Sequence, residues 1–512
     1  MELSHLSTES LKDVDLSLTD VEDHTLHDAS SVDTAHRYLN KNADSHSTYP
    51  PFNMDALDHS IKGDFAHKAE PCESDYTGDA ETTFGSDSPP VVYKSYKRRW
   101  FGIVALVLMN IVSSWGWLTF AAISNLVVDK FSLKSEAPVN WLSTVILFAF
   151  CLTPPAVSWV LHKYNVRGAL LVSGVFVICG NWVRYAGSKT NNFGAVMFGQ
   201  ILIGFGQPFA LGAPAYFTDQ WFTSKSRVTA NALASLSNPL GGAIAQLVGP
   251  AMVAADPTQF DMFILVTAIV STAAAASCLL VPREPPSPPC PSATIEKLPL
   301  KESLFKLVKS RYFVTVFFPF AIYVGFFNAF STFINQIMLP YGYSEDNAGI
   351  AGALLIFVGI VFTLIISPIV DRFHFHLWLI RICVPIIAAC YIGAIFMSTK
   401  DGDAQLAGPF IVCAVLGAAS FCLLPTFLEL IPEQTSPVSP AVSSNILWVG
   451  GQFFGAIFII IMNALKDGEN GDPPGNMRRA MIFEAVIACV GIIPMLFIPA
   501  LPSNRIAMDQ KR

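Results

Sequence analysis

From Trp100 to about residue 500 the chain is a succession of apolar runs, each close to the length that crosses a bilayer. About 20 helical residues cover the roughly 30 Å of hydrocarbon. No water reaches the backbone N–H and C=O groups there, so long continuous spanning runs are read as helices. The runs fall at about 100–127, 139–161, 167–188, 194–217, 228–253 and 260–281. Six more follow at about 312–339, 347–369, 376–398, 405–431, 438–464 and 478–500. A polar stretch at 283–310, opening on the Pro-rich REPPSPPCP, separates the two groups of six. The expectation is an all-α membrane protein with twelve transmembrane helices in two six-helix halves.

Charge is distributed as such a protein requires. Residues 1–90 carry 19 Asp and Glu against 5 Lys and Arg, and seven of the ten histidines. That segment is too poor in apolar clusters to offset its chain entropy, so a disordered acidic tail is expected over 1–93. No apolar core of a signal peptide stands near Met1. The remainder is net basic, with 27 Lys and Arg against 20 Asp and Glu. The basic residues gather at alternate span ends: Lys94 to Arg99, Lys163, Arg167, Lys225, Arg227, the central loop, Arg372, Arg381 and the C-terminus. Positive residues favour the cytosolic side. Both termini and the central loop are therefore expected in the cytosol, with the plasma membrane as the expected location. The domain reading is a tail at 1–93, a first half at 94–281, a cytosolic loop at 282–311, a second half at 312–500 and a short tail at 501–512.

Several chemistries find no footing. Ten cysteines are present, eight of them inside apolar runs, with no CxxC pair and no Cys/His cluster of metal spacing, so neither a zinc site nor a disulfide framework is expected. There is no GxxxxGK[ST] loop for ATP, and no GxSxG or HExxH motif. An enzyme, a cofactor and a nucleic-acid partner are not expected. The expected partners are a small-molecule substrate and the lipid bilayer, with the carrier acting as a monomer.

Twelve spans arranged as six, loop, six is the layout of the major facilitator superfamily fold, whose halves are related by an axis along the membrane normal. At an offset of 213 residues Pro155 and Val157 match Pro368 and Val370, and Gly242-Ala243-Ile244 matches Gly455-Ala456-Ile457. Polar groups in hydrocarbon are costly and tend to face the bundle interior. The mid-span amides Gln207, Asn238, Asn328, Asn335, Gln336 and Gln452 therefore read either as a hydrogen-bonding pocket or as interhelical ties. Trp115 and Trp117 stand in the middle of the first span, away from the interfacial belts that tryptophan favours. An indole there either faces a cavity and offers its π face to a cation, above all a quaternary ammonium, or packs against lipid or a neighbouring helix. Full charges within spans are few: Arg184, Glu429 and Glu484. They form no central carboxylate or histidine chain, which suggests facilitated movement or a coupling mode that the sequence does not display.

Residues 96 to about 500 also resemble the feline leukaemia virus subgroup C receptor-related (FLVCR) family of this superfamily. The likeness is carried by YKRRW at 96–100, NWLS at 140–143, GNWVRYAGS at 180–188, GQILIGFGQPFALGAP at 199–214, WF at 221–222 and NPLGGAI at 238–244. STFINQ at 331–336, NAG at 347–349, ELIPE at 429–433 and GQFFG at 451–455 continue it through the second half. The resemblance implies a carrier for choline and ethanolamine, with haem export proposed for some members. It also implies an aromatic box built on a first-span tryptophan, which Trp117 matches, with Gln207 and Asn238 at the amide positions. The seventh-span tyrosine of the family falls at Asn328 here, with Phe327 and Phe330 beside it. The resulting expectation is a facilitative, alternating-access carrier whose substrate-binding residues are Trp117, Gln207, Asn238, Asn328, Phe330, Gln336 and Gln452. Haem or another organic solute is the other substrate reading. A receptor or sensor without net transport is the reading from another class.

Overall fold

The computed structural model describes residues 96–222, 224–287, 300–373, 376–398, 405–435, 438, 440–468 and 471–496. The acidic tail read at 1–93, residues 288–299 of the central loop and the tail read at 501–512 lie outside the described residues. Everything described belongs to one unit, Ser88–Arg512.

Fifteen α-helices are described, counted in chain order: α1 Arg99–Leu118, α2 Ser124–Phe131, α3 Ala137–Leu152, α4 Pro154–Lys189, α5 Phe193–Leu211, α6 Ala213–Trp221, α7 Ser224–Val253 and α8 Phe260–Ser277. They continue with α9 Leu300–Lys309, α10 Arg311–Met338, α11 Glu345–Phe373, α12 His376–Met397, α13 Ala407–Thr435, α14 Pro440–Ala464 and α15 Arg478–Leu496. Nine helical stretches among the described residues are long and apolar enough to cross a membrane. The helices cover all twelve apolar runs, because several runs are broken or joined. The first is interrupted after Leu118 and resumes as α2. The second is interrupted at Thr153, where Pro154 and Pro155 open the next helix. Proline suits a first turn because the amide it lacks would be unpaired there. The second and third runs join inside α4 at Asn165, whose φ of +57° turns the chain. The fourth bends after Pro208 and restarts at Ala213.

Helix starts follow local chemistry. The Asn192 side chain accepts from the Ala195 amide at 3.1 Å and opens α5. Ser310 does the same for Phe313 at 3.3 Å and opens α10. Each bond satisfies one of the orphan amides of a helix N-terminus.

Packing repeats between the halves. In the first half α1 lies on α7, α3 on α5 and α4 on α8. In the second half α10 lies on α14, α11 on α13 and α12 on α15. In span order these are first on fifth, second on fourth and third on sixth, twice over. The broadest joins across the halves are α7 against α11 and α3 against α14, which exchange under the same two-fold relation. The short sequence matches obey it too. Gly242 lies in α7 and Gly455 in α14, while Pro155 continues the second span and Pro368 lies in the eighth.

Candidate functional site

A cavity of about 80 Å³ lies between the halves and is lined from both. The first half contributes Ser114 and Trp117 from α1, Gln207 from α5, and Asn238, Pro239 and Gly242 from α7. The second half contributes one face of α10: Phe320, Tyr323, Val324, Phe327 and Asn328. Those positions recur at three- and four-residue spacing, the repeat of a single helical face. Ser420, Phe421, Leu423, Leu424 and Phe427 of α13 do the same, and Trp448 and Gln452 of α14 stand one turn apart. No lining residue carries a formal charge.

The lining is aromatic and amide in character. Phe320 meets Phe427 edge-on at 5.7 Å and Trp448 edge-on at 6.3 Å. Phe327 meets Phe421 edge-on at 5.1 Å. Trp117 is 8% exposed, and its indole N–H has no hydrogen-bond partner in the protein. The Gln207 carbonyl oxygen is likewise buried and unpartnered. The other amides are engaged. Asn328 donates to the Gln452 carbonyl at 3.1 Å. Asn238 donates to the Asn110 backbone carbonyl at 3.4 Å. A buried polar atom without a partner is uncommon and costs about 1–3 kcal/mol. One donor and one acceptor of the first-half wall residues thus stand without a partner in the protein.

Five of the seven expected site residues line this cavity: Trp117, Gln207, Asn238, Asn328 and Gln452. Phe330 and Gln336 do not. Phe330 is fully buried within the second half, edge-on to Tyr391 at 5.9 Å. Gln336 lies two turns beyond the last cavity residue of α10, where its amide donates to the Asn140 carbonyl at 2.6 Å. Asn335 is occupied similarly, donating to the Ala122 backbone at 3.1 Å and to Glu345 at 2.6 Å. Trp115 is buried outside the cavity. Arg184 is fully buried in the first half, its guanidinium over the Phe120 ring at 4.6 Å and donating to Asn181 at 3.1 Å. The side chain of Glu429 lies outside the described residues.

Sequence reasoning missed Tyr323, Phe320, Phe421, Phe427 and Trp448. Their only signal was helical spacing in aromatic-rich runs, and nothing in those runs distinguishes a cavity face from a packed one. Tyr323 matters most. It brings a phenol ring to the cavity from α10, five residues before Asn328, and its hydroxyl donates to the Ala488 carbonyl at 2.9 Å.

The halves join differently at the two ends. Call the end where α1 begins proximal and the other distal. At the distal end Lys466 pairs with Glu136 and also donates to Gln336 at 3.3 Å. Asn140 donates to Asn463 at 2.8 Å, Ser124 to Asn335 at 3.0 Å, and Gln246 to the Ser331 carbonyl at 2.9 Å. Toward the proximal end Cys151 donates to the Val449 carbonyl at 3.7 Å. The cavity draws on the middle turns of α10 and α14. Two six-helix halves around one central cavity, latched at one end, define a membrane carrier.

The Major Facilitator Superfamily model matches residues 104–459, and the chain belongs to that superfamily. It is 31% identical over 383 residues to solute carrier family 49 member A3 of Danio rerio, covering 72% of this chain and 79% of the relative. It is 28% identical over 444 residues to the choline/ethanolamine transporter FLVCR1 of Mus musculus, covering 81% of this chain and 77% of the relative. The choline/ethanolamine transporter FLVCR2 of Homo sapiens is 26% identical over 423 residues, covering 80% and 78%. Among solved structures the chain is similar to the superfamily transporter FucP in its outward conformation. The TM-score is 0.58 at 14% identity, covering 79% of this chain and all of that one, a likeness of fold alone. The protein is a multi-pass membrane transporter.

Proposed function

We propose that the chain carries choline or ethanolamine by facilitative alternating access, as a monomer in the plasma membrane with both termini in the cytosol. The observation that carries the substrate reading is the uncharged aromatic and amide lining around Trp117. An ammonium ion gains from π faces without meeting a fixed carboxylate that would hold it too tightly to release. The indole N–H and the Gln207 oxygen, both without a partner in the protein, match the hydroxyl and amine of a small amino alcohol. Relatives named as choline/ethanolamine transporters over most of the chain support the same reading. The volume fits as well. A water needs roughly 10–15 Å³ of such space, so a cavity of about 80 Å³ suits a small amine and is narrow for a haem macrocycle.

The test is uptake of labelled choline and ethanolamine by proteoliposomes carrying the full chain. Saturable uptake of either, competed by the other, is expected. Uptake no greater than in empty vesicles for both would reject the amine reading.

A further inference from the structure

Glu484 of α15 is the one fully buried carboxylate among the described residues, with relative exposure of 0%, and neither oxygen has a hydrogen-bond partner. A carboxylate in hydrocarbon without a partner is costly. Such groups are tolerated when paired, hydrogen-bonded or neutral. Among the described residues no cation pairs with it. Arg479, the nearest basic residue on its own helix whose partner is defined, is engaged with Asp467 at 3.3 Å. The ionisable groups around it are weak acids. Tyr391 of α12 is the one that acts on Glu484; Tyr323 of α10 and Cys390 of α12 act on Tyr391 in turn, Cys489 of α15 acts on Tyr323, and α14 supplies none. The Tyr391 hydroxyl is also fully buried, also without a partner, and within electrostatic reach of both Glu484 and Tyr323.

The environment is dry. Phe326 stacks on Phe458 at 4.2 Å and meets Phe483, the neighbour of Glu484, at 6.1 Å. Phe326 and Phe330 both cover Tyr391, each at 5.9 Å. Yet the cluster touches the cavity. Tyr323 is a cavity wall, and its hydroxyl bonds Ala488, one turn from Glu484 on α15. Gly491 makes room for that hydroxyl, since a Cβ there would lie 3.2 Å from it.

We infer that Glu484 is a proton-binding site of the transport cycle, linked to the solute cavity through Tyr391 and Tyr323. In the state shown the group is the carboxylic acid. A state that admits water to the cluster releases the proton to that water and leaves a carboxylate, and return to the dry state takes a proton up again. No electrons move. Because α10 and α15 hold both the cavity wall and the acid, helix movement that reshapes one changes the hydration of the other. The rate of the cycle is therefore proton-dependent, which is compatible with facilitative movement of the solute and independent of the proposed amine substrate.

Two measurements on the full chain in lipid test this. The first is infrared difference spectroscopy. Wild type at neutral pH is expected to show the C=O stretch of a protonated carboxyl, absent in Glu484→Gln and displaced in Tyr391→Phe. Identical spectra for wild type and Glu484→Gln would overturn the inference, whatever the solute. The second is labelled choline uptake in proteoliposomes as the pH is varied equally on both sides. The wild-type rate is expected to change several-fold between mildly acidic and mildly alkaline medium, with the profile displaced in Tyr391→Phe. A Tyr391→Phe profile superimposed on the wild type, in folded protein, counts against the link to the cavity. If neither choline nor ethanolamine is carried, the amine reading fails and the infrared result still decides the proton site.

Discussion

Trp117 presents its ring to the cavity from the first half, and no other residue of that half brings an aromatic surface there. A desolvated cation–π contact is worth about 2 kcal/mol. Its loss in Trp117→Ala should weaken amine binding by roughly thirtyfold, since about 1.4 kcal/mol is a factor of ten. Trp117→Phe should retain part of it. Concentration-dependent choline uptake at matched protein level measures both, and unchanged apparent affinity in Trp117→Ala would make the tryptophan a packing residue. Across the cavity Asn328 and Gln452 hold one another at 3.1 Å. Gln452→Leu leaves a buried Asn328 donor unsatisfied and should lower stability by about 1–3 kcal/mol, whereas removing both partners costs less. Thermal unfolding of Gln452→Leu and of Asn328→Leu/Gln452→Leu in detergent gives the comparison; a double variant less stable than the single one would contradict it. The two residues of the expected set that lie elsewhere have physical reasons for doing so. Phe330 is on the edge of α10 that meets α12, and Gln336 is far enough along the helix to meet α3. Residue type alone announced neither.

Spans that are apolar on every side announce themselves by length and hide their orientation, because no polar stripe marks the face that looks inward. This explains what was legible here. The twelve runs, the loop between halves and the mid-span polar residues could be read from the sequence. Which face of α10 meets the cavity could not, and the aromatic wall of Tyr323, Phe421 and Trp448 went unread with it. Pro154-Pro155 and Pro208 stand at two of the breaks, whereas the break after Leu118 has no proline, glycine or asparagine to mark it. Close approaches of helices were harder to read. At Gly417 of α13 an added Cβ would overlap the Leu355 carbonyl of α11, whereas at Gly393 of α12 the nearest atom, on Val412, lies 3.6 Å away. Alanine is the better helix former by about 1 kcal/mol. Gly393→Ala should therefore be neutral or stabilising, and Gly417→Ala destabilising, since the overlap is with backbone that cannot move aside. Melting temperatures in detergent separate the two; equal behaviour would mean that α11 and α13 are not held at this distance in the membrane.

At the scale of the whole molecule, the polar contacts between halves define one state of a carrier. Those defined among the described residues include a distal group around Glu136, Asn140, Gln336, Asn463 and Lys466, while the cavity lies at mid-span, nearer the proximal end than these contacts. A carrier of this fold works by rocking one half against the other around a fixed site, so the distal contacts must break once in every cycle. Their strength sets the balance of states. Lys466 and Glu136 are each about one-fifth exposed, with side-chain exposures of 20% and 19%. A pair that accessible to solvent contributes up to about 1 kcal/mol, which is about a fivefold change in the ratio of two conformations. Lys466→Ala should thus raise the population open at the distal end by that order without touching the cavity. Cysteines at positions 140 and 336, in a background lacking the native ones, report the balance. A thiol reagent confined to the distal side should label them several-fold faster when Lys466→Ala is added. A short bifunctional reagent joining the same two cysteines should arrest uptake, and its cleavage should restore it. Labelling that does not respond to Lys466→Ala, together with uptake that persists across the cross-link, would show that the distal contacts are not the ones that open.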